Sequence, residues 1–283
     1  MAVKLSDRRS KGFLNLMAII VSGLTTLVSF ILALKVGRQY QRRGHPHQLV
    51  WAIALLFFAL GVGCQFLGEF QGWSPLLYRL WYLTGAILTA AYLGLGTVYL
   101  QAKRPTAHRL LILVIAASVV AALMVWQAPI DLSQAYLGHT ISGQGMPRSV
   151  RLLTPFFNIF GTVTLVGGAL RSTHYFLWHG GSNQRALGTG LIAAGAMVVA
   201  AGGTLARLSR PAGLYVTELV GVVVIFMGFV LTSRPTSSAK LAPSQLRQRR
   251  YRLTRLGVGI GIATLLGSVV ILPFLPWSMG IVT

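Results

Sequence analysis

Apolar residues run through this chain in eight long stretches, broken by short segments rich in arginine, proline and glycine. The stretches cover 12–35, 48–69, 77–101, 109–127, 151–172, 186–206, 212–233 and 256–276. Each is close to the ~20 residues a helix needs to cross a hydrocarbon core about 30 Å thick. The breaks between them carry turn-forming or basic clusters, such as Arg42-Arg43-Gly44-His45-Pro46, Gly72-Trp73-Ser74-Pro75, Lys103-Arg104-Pro105 and Ser209-Arg210-Pro211. The pattern predicts an all-α fold, a polytopic membrane helix bundle.

Composition agrees with that solvent. Of 283 residues 54% are hydrophobic and 10% are charged, whereas a soluble domain is about a quarter charged. The net charge of +21 would suggest nucleic acid in a soluble protein. Here the basic residues sit in loops and at helix ends, where they set topology and meet anionic lipid. No basic domain lies outside the apolar runs, so nucleic acid is not an expected partner. Sixteen of the 25 Lys and Arg fall in the odd-numbered loops and nine in the tail and even loops. The positive-inside rule then predicts an external N-terminus in a multi-pass protein of the cell membrane. The first stretch follows a basic flank, Lys4 to Lys11, but is too long for a cleaved signal and lacks a small-x-small site. It is expected to be a retained helix.

A faint internal repeat organises the spans. Gly23-Leu24-Thr25-Thr26-Leu27-Val28 recurs as Gly161-Thr162-Val163-Thr164-Leu165-Val166, and Pro75 with Leu83-Thr84-Gly85 recurs as Pro211 with Leu219-Val220-Gly221. Helices 1–3 therefore read as a parallel duplicate of helices 5–7, with helix 4 as connector and an eighth helix outside the repeat. The expected divisions are 1–101 for the first three-helix repeat and 102–150 for the connector and external loop. The second repeat then covers 151–233, and a basic cytoplasmic loop with the eighth helix covers 234–283. This 3+1+3 layout resembles, in topology, seven-helix receptors, rhodopsin-like proteins and SWEET-type sugar transporters. A retinal protein needs a Schiff-base lysine in helix 7, and Ala212 to Ser233 holds none. The stretches Asn158 to Leu170 and Gly202 to Arg207 also resemble parts of bacterial multi-span proteins, a likeness that implies no activity.

Acidic residues number only four: Asp7, Glu69, Asp131 and Glu218. A carboxylate inside a span is costly, so it is expected to face the bundle interior, paired or lining water. Glu218 lies about two turns into helix 7, and the ends of helices 2, 3, 6 and 7 meet at one face of the predicted bundle. That collects Glu69, Arg79, Tyr82, Arg207, Tyr215 and Glu218 as candidate ligand-binding residues, with Arg79 or Arg207 as counter-ion to Glu218. The alternative for the same residues is an ion pair that locks two hairpins within an aromatic belt of Trp73 and Trp81. The 128–150 loop is placed to cover that end.

Other features call for less. Ser22, Thr25, Thr26 and Ser29 share a face of helix 1 and are expected to hydrogen-bond between helices. Gly188, Gly195 and Gly202 recur every seven residues on helix 6 and suit close backbone packing. The loop from Arg234 to Arg255 offers Arg247, Arg249, Arg250, Arg252 and Arg255 to anionic lipids at the cytoplasmic face. The six histidines lie in loops or at helix ends and Cys64 is a lone thiol, so no metal site and no cofactor is expected. Neither H-E-x-x-H nor a Ser/His pair occurs in the spans, which argues against an enzyme. Three classes remain: small-solute transport or binding at the external polar cluster, a structural or accessory subunit of a membrane complex or homo-oligomer, and a seven-helix sensor or receptor.

Overall fold

The computed structural model describes residues 2–137, 140–178, 183–207 and 212–233. The predicted eighth helix at 256–276 and the basic stretch with Arg247, Arg249, Arg250, Arg252 and Arg255 lie outside the described residues. The described residues are helical apart from short turns and the connection between the fourth and fifth spans.

Helix α1 (Ala2–Arg43) ends where Gly44 takes φ 68° and returns its N–H to the Tyr40 carbonyl at 2.7 Å, a left-handed stop that suits glycine. Helix α2 (Pro46–Gln71) begins two residues later with proline in its first turn. It ends at Gly72, φ 94°, whose N–H donates to the Gly68 carbonyl. Ser74 then caps α3 (Pro75–Trp81) by accepting the Leu77 N–H at 3.3 Å. Turns this short force neighbouring spans to run antiparallel. The third span continues as a π-helical segment (Tyr82–Leu88) and α4 (Thr89–Gln101), followed by α5 (Arg104–Gln127). Residues 128–150 hold a two-stranded hairpin, β1 (Tyr136–Leu137) with β2 (Thr140–Ile141), and the one-turn helix α6 (Arg148–Arg151) begins at their end. Then come α7 (Leu153–Trp178), α8 (Asn183–Arg207) and α9 (Ala212–Ser233).

Five of these helices are long and apolar enough to cross a membrane, and the central parts of α8 and α9 are shorter apolar helices. The chain is a helical membrane protein. Its spans extend past the apolar runs because the flanking basic residues continue the helix: α1 reaches Arg43 rather than residue 35, and α5 starts at Arg104 rather than 109. Among the described residues the small hairpin departs from the expectation of helix alone.

The helices close into a ring. In order, α1 packs on α2, α2 on the third span, α4 on α7, α7 on α8, α8 on α9, and α9 back on α1. Helix α5 stands outside this ring against α4. Its buried side chains, Ala107, Val114, Ala121 and Val125, form one narrow stripe, and Ile112 and Leu113 on the opposite side are more than 60% exposed. An apolar face that water would not tolerate is what a lipid-facing helix carries.

Close approaches fix the ring. Gly195 and Gly221 leave no room for a side chain, since a Cβ on Gly195 would stand 2.5 Å from the Gly221 carbonyl oxygen. The expected packing role of the helix 6 glycines holds there. Inside the ring Leu32, Leu55, Phe58, Val62, Val222 and Ile225 form an apolar cluster contributed by α1, α2 and α9. A second cluster joins the third span, α5 and the 128–150 segment through Tyr78, Ile87, Leu95, Val125, Ile141 and Val150.

Candidate functional site

The two carboxylates of the spans, Glu69 and Glu218, lie toward the end of the bundle that carries the 128–150 segment. Glu218 is set there by the sequence of α9. Val216, Val220 and Met227 mark the outward face of that helix, at 46 to 54% exposure. At 100° per residue Glu218 points almost directly away from them, toward the ring interior. On the same inner face Val222 and Ile225 are closed off, yet Glu218 itself is half-buried.

Among the described residues, the partner of Glu218 is an amide. Gln65 of α2 donates from Nε2 to Glu218 Oε2 at 3.1 Å, and its Oε1 accepts the Trp81 indole N–H at 3.1 Å. An indole is a donor only, so it fixes which end of the amide faces Trp81 and which faces Glu218. Gln65 is completely buried. One turn further along α2, Glu69 accepts from the Tyr215 hydroxyl at 3.1 Å and from the Trp73 indole at 3.4 Å. Both carboxylates are thus served by neutral donors, and among the described residues neither has a cationic side chain in ion-pair reach.

Arg79, expected as a counter-ion, turns the other way. Its guanidinium donates to the Val125 and Ala128 carbonyls at 3.3 and 3.0 Å and lies over the Trp126 ring at 6.0 Å. It caps the last turn of α5, where unpaired carbonyls attract a cation. Tyr82 is buried in the third span and shares a hydrogen bond with Thr154 of α7 at 2.9 Å. Arg207 closes α8 at this same end of the bundle, its side chain being outside the described residues. The structure therefore joins Glu69 to Tyr215 directly and brings Glu218 to Gln65. Arg79 and Tyr82 are tied to other helices.

The 128–150 segment does cover this end. Tyr78, fully buried, donates to the Ser142 carbonyl at 2.6 Å and accepts the Gly145 N–H at 3.1 Å. Gly143 lies against the Tyr82 ring, where a Cβ would come within 2.8 Å. Asp131, at the exposed edge, accepts from the Ser133 hydroxyl and amide and from Gln134. The Ser133 hydroxyl bond is the first cause holding its carboxyl below the usual aspartate range.

Two features escaped the sequence. Gln65 sits one turn before Glu69 on the same helix face, a polar amide inside a span, and that spacing was the available signal. The π-helical run Tyr82–Leu88 had none, because its composition suits an ordinary helix. It is stitched by side chains: the Thr89 hydroxyl donates to the Thr84 carbonyl at 2.7 Å and Asn158 of α7 donates to the Ala86 carbonyl at 3.2 Å. The hydroxyls of α1 correct another expectation. Ser22, Thr25, Thr26 and Ser29 each donate to the carbonyl four residues back, at 2.6 to 2.8 Å, instead of crossing to another helix.

No protein family matches the chain, and no curated protein or solved structure is significantly similar to it. The likeness to receptor, rhodopsin and SWEET-type layouts rests on helix order alone.

Proposed function

We propose that this membrane protein binds or conducts a small cationic solute at Glu218, in the interior niche between α2, the third span and α9. The observation that carries this is a carboxylate on a half-buried residue of the inner face of α9, held by a neutral amide. A carboxylate in a span is costly, and among the described residues no cationic side chain pairs with this one, so a cation entering the niche would offset that cost. Glu69 one turn away and the Trp73 and Trp81 rings, 5.8 Å apart between centroids, add carboxylate and aromatic surfaces that favour organic cations. In the proposal Tyr215 borders this niche through its bond to Glu69, while Arg79 and Tyr82 stay bound to other helices. In this proposal the apolar cluster of Leu32, Phe58, Val62 and Val222 below is the barrier that a transporter with alternating access would have to open.

The parallel repeat fits such a protein, and two observations support it. The neighbour order of α1, α2 and the third span is repeated by α7, α8 and α9 around the ring. The close glycine crossing of Gly61 with Gly85 also has a counterpart in Gly195 with Gly221, 134 and 136 residues on.

Purified protein in detergent tests the proposal. Methylammonium, choline and tetraethylammonium are titrated while the melting temperature is followed, with acetate as the anionic control. At least one cation should raise the melting temperature of the native chain, and Glu218→Gln should weaken that response tenfold or more, about 1.4 kcal/mol. If no cation acts, or if Glu218→Gln keeps the full response, the proposal fails. Glu218→Gln that loses folded protein points instead to a structural lock between α2 and α9, the accessory-subunit reading.

A further inference from the structure

We infer that the Tyr82–Leu88 π-helical segment is a register joint, and that the Trp81–Gln65–Glu218 chain of hydrogen bonds sets which of two registers the outer part of the third span adopts. The inference rests on the proposed function only for its trigger, a cation at Glu218; the joint itself is defined by the protein alone.

A π-helical turn is rare, and seven residues of it are unusual. Its widened ring is visible where the Thr89 N–H reaches back five residues to the Thr84 carbonyl. Relative to an α-helix, such a segment holds one residue too many. Relaxation to α pitch would turn everything before it by about 100° and move it about 1.5 Å along the axis. A conformation of this kind persists only when surrounding contacts over-determine it.

Those contacts lie on the outer side of the segment. Trp81 donates to Gln65, Tyr78 holds Ser142 and Gly145, Arg79 holds the end of α5, and Tyr82 meets Thr154. A 100° turn would break each of them. On the inner side Thr89, Asn158 and the packed Ile87 and Leu88 keep α4 in place. Where the segment crosses α2, Gly85 faces Gly61 so closely that a Cβ on Gly61 would lie 2.8 Å from the Gly85 Cα.

Among the outer contacts, the bond from Trp81 to Gln65 leads to Glu218. A cation seated on Glu218 competes with the Gln65 N–H for Oε2. The amide that loses this bond is no longer held against the indole, and the outer register loses one of its anchors. Ligand and register are then coupled because the ligand interacts differently with the two states.

The test uses the full chain in lipid nanodiscs with Cys64→Ala and spin labels at two exposed positions, Leu76 on α3 and Phe156 on α7. Gln65→Leu removes both bonds of the amide and should shift the measured distance by several ångströms, as a turn of a helix about 10 Å across requires. Trp81→Phe keeps a ring in place without the donor and should give the same shift, so a folding failure of either variant leaves the other as the test. Deleting Ala86 removes the surplus residue while keeping the outer register, and Gln65→Leu in that background should give no shift. An unchanged distance in a folded Gln65→Leu or Trp81→Phe protein overturns the joint, as does a shift that survives the deletion. A cation-blind protein that still shifts would sink the solute proposal and leave the joint standing.

Discussion

Single atoms decide much of this bundle, and glycine shows it best. Gly161 meets the Ala90 carbonyl across the α4–α7 contact so closely that a Cβ would overlap it, whereas a Cβ on Gly167 would meet nothing within 4 Å. Gly161→Ala should therefore cost about 1–3 kcal/mol, the usual penalty for overpacking a filled interior. Gly167→Ala should leave stability unchanged or raised slightly, since alanine suits a helix better. Thermal unfolding of the two variants side by side separates crossing from composition, and equal melting temperatures would contradict the contact. Asp131 makes a second prediction at this scale. Its folded pKa is depressed, so its bonds to Ser133 and Gln134 contribute above the ordinary aspartate range and are lost as pH falls through the folded value. A carboxyl titration followed by NMR should give a midpoint below 3.8, the unperturbed value. A midpoint at or above it would mean the turn does not hold the charge.

At the level of elements, hydroxyls and amides divide by where their donors go. The α1 hydroxyls bond to their own helix, so alanine at Ser22, Thr25 and Ser29 together should change the melting temperature little. Asn158→Leu should cost about 1–3 kcal/mol, because it strands the Ala86 carbonyl in a segment that has few other donors. A triple-alanine variant that melts far below Asn158→Leu would reverse that assignment. The same contrast shows what could be read beforehand. Long apolar runs announced the spans, and Glu69, Tyr215 and Glu218 could be placed at one end because the helices that carry them end or start there. Gln65 passed unnoticed because an amide in an apolar run leaves no charge signature. Arg79 was misassigned because its acceptors are backbone carbonyls, which any residue supplies. The π segment was invisible because Tyr82-Leu83-Thr84-Gly85-Ala86-Ile87-Leu88 suits either pitch and only tertiary contacts select one.

For the molecule as a whole, the question is which compartment the niche faces. The apolar cluster from Leu32 to Ile225 separates Glu218 from the opposite end of the ring, where the first and third loops place Arg38, Arg42, Arg43, Lys103 and Arg104. Moving that many cations across a membrane is opposed by the same bias that retains basic loops in the cytoplasm, so the end with the 128–150 segment should be external. A Cys64→Ala chain with a single cysteine at Ser133, in that segment, should react with a membrane-impermeant maleimide on intact cells. A single cysteine at Arg42 should react only after the cells are opened. Both sites are solvent-exposed in the fold, so reactivity reports sidedness rather than burial. The reverse pattern would turn the niche toward the cytoplasm. It would then make the four basic residues of the N-terminal tail, Lys4, Arg8, Arg9 and Lys11, the stronger determinant of orientation.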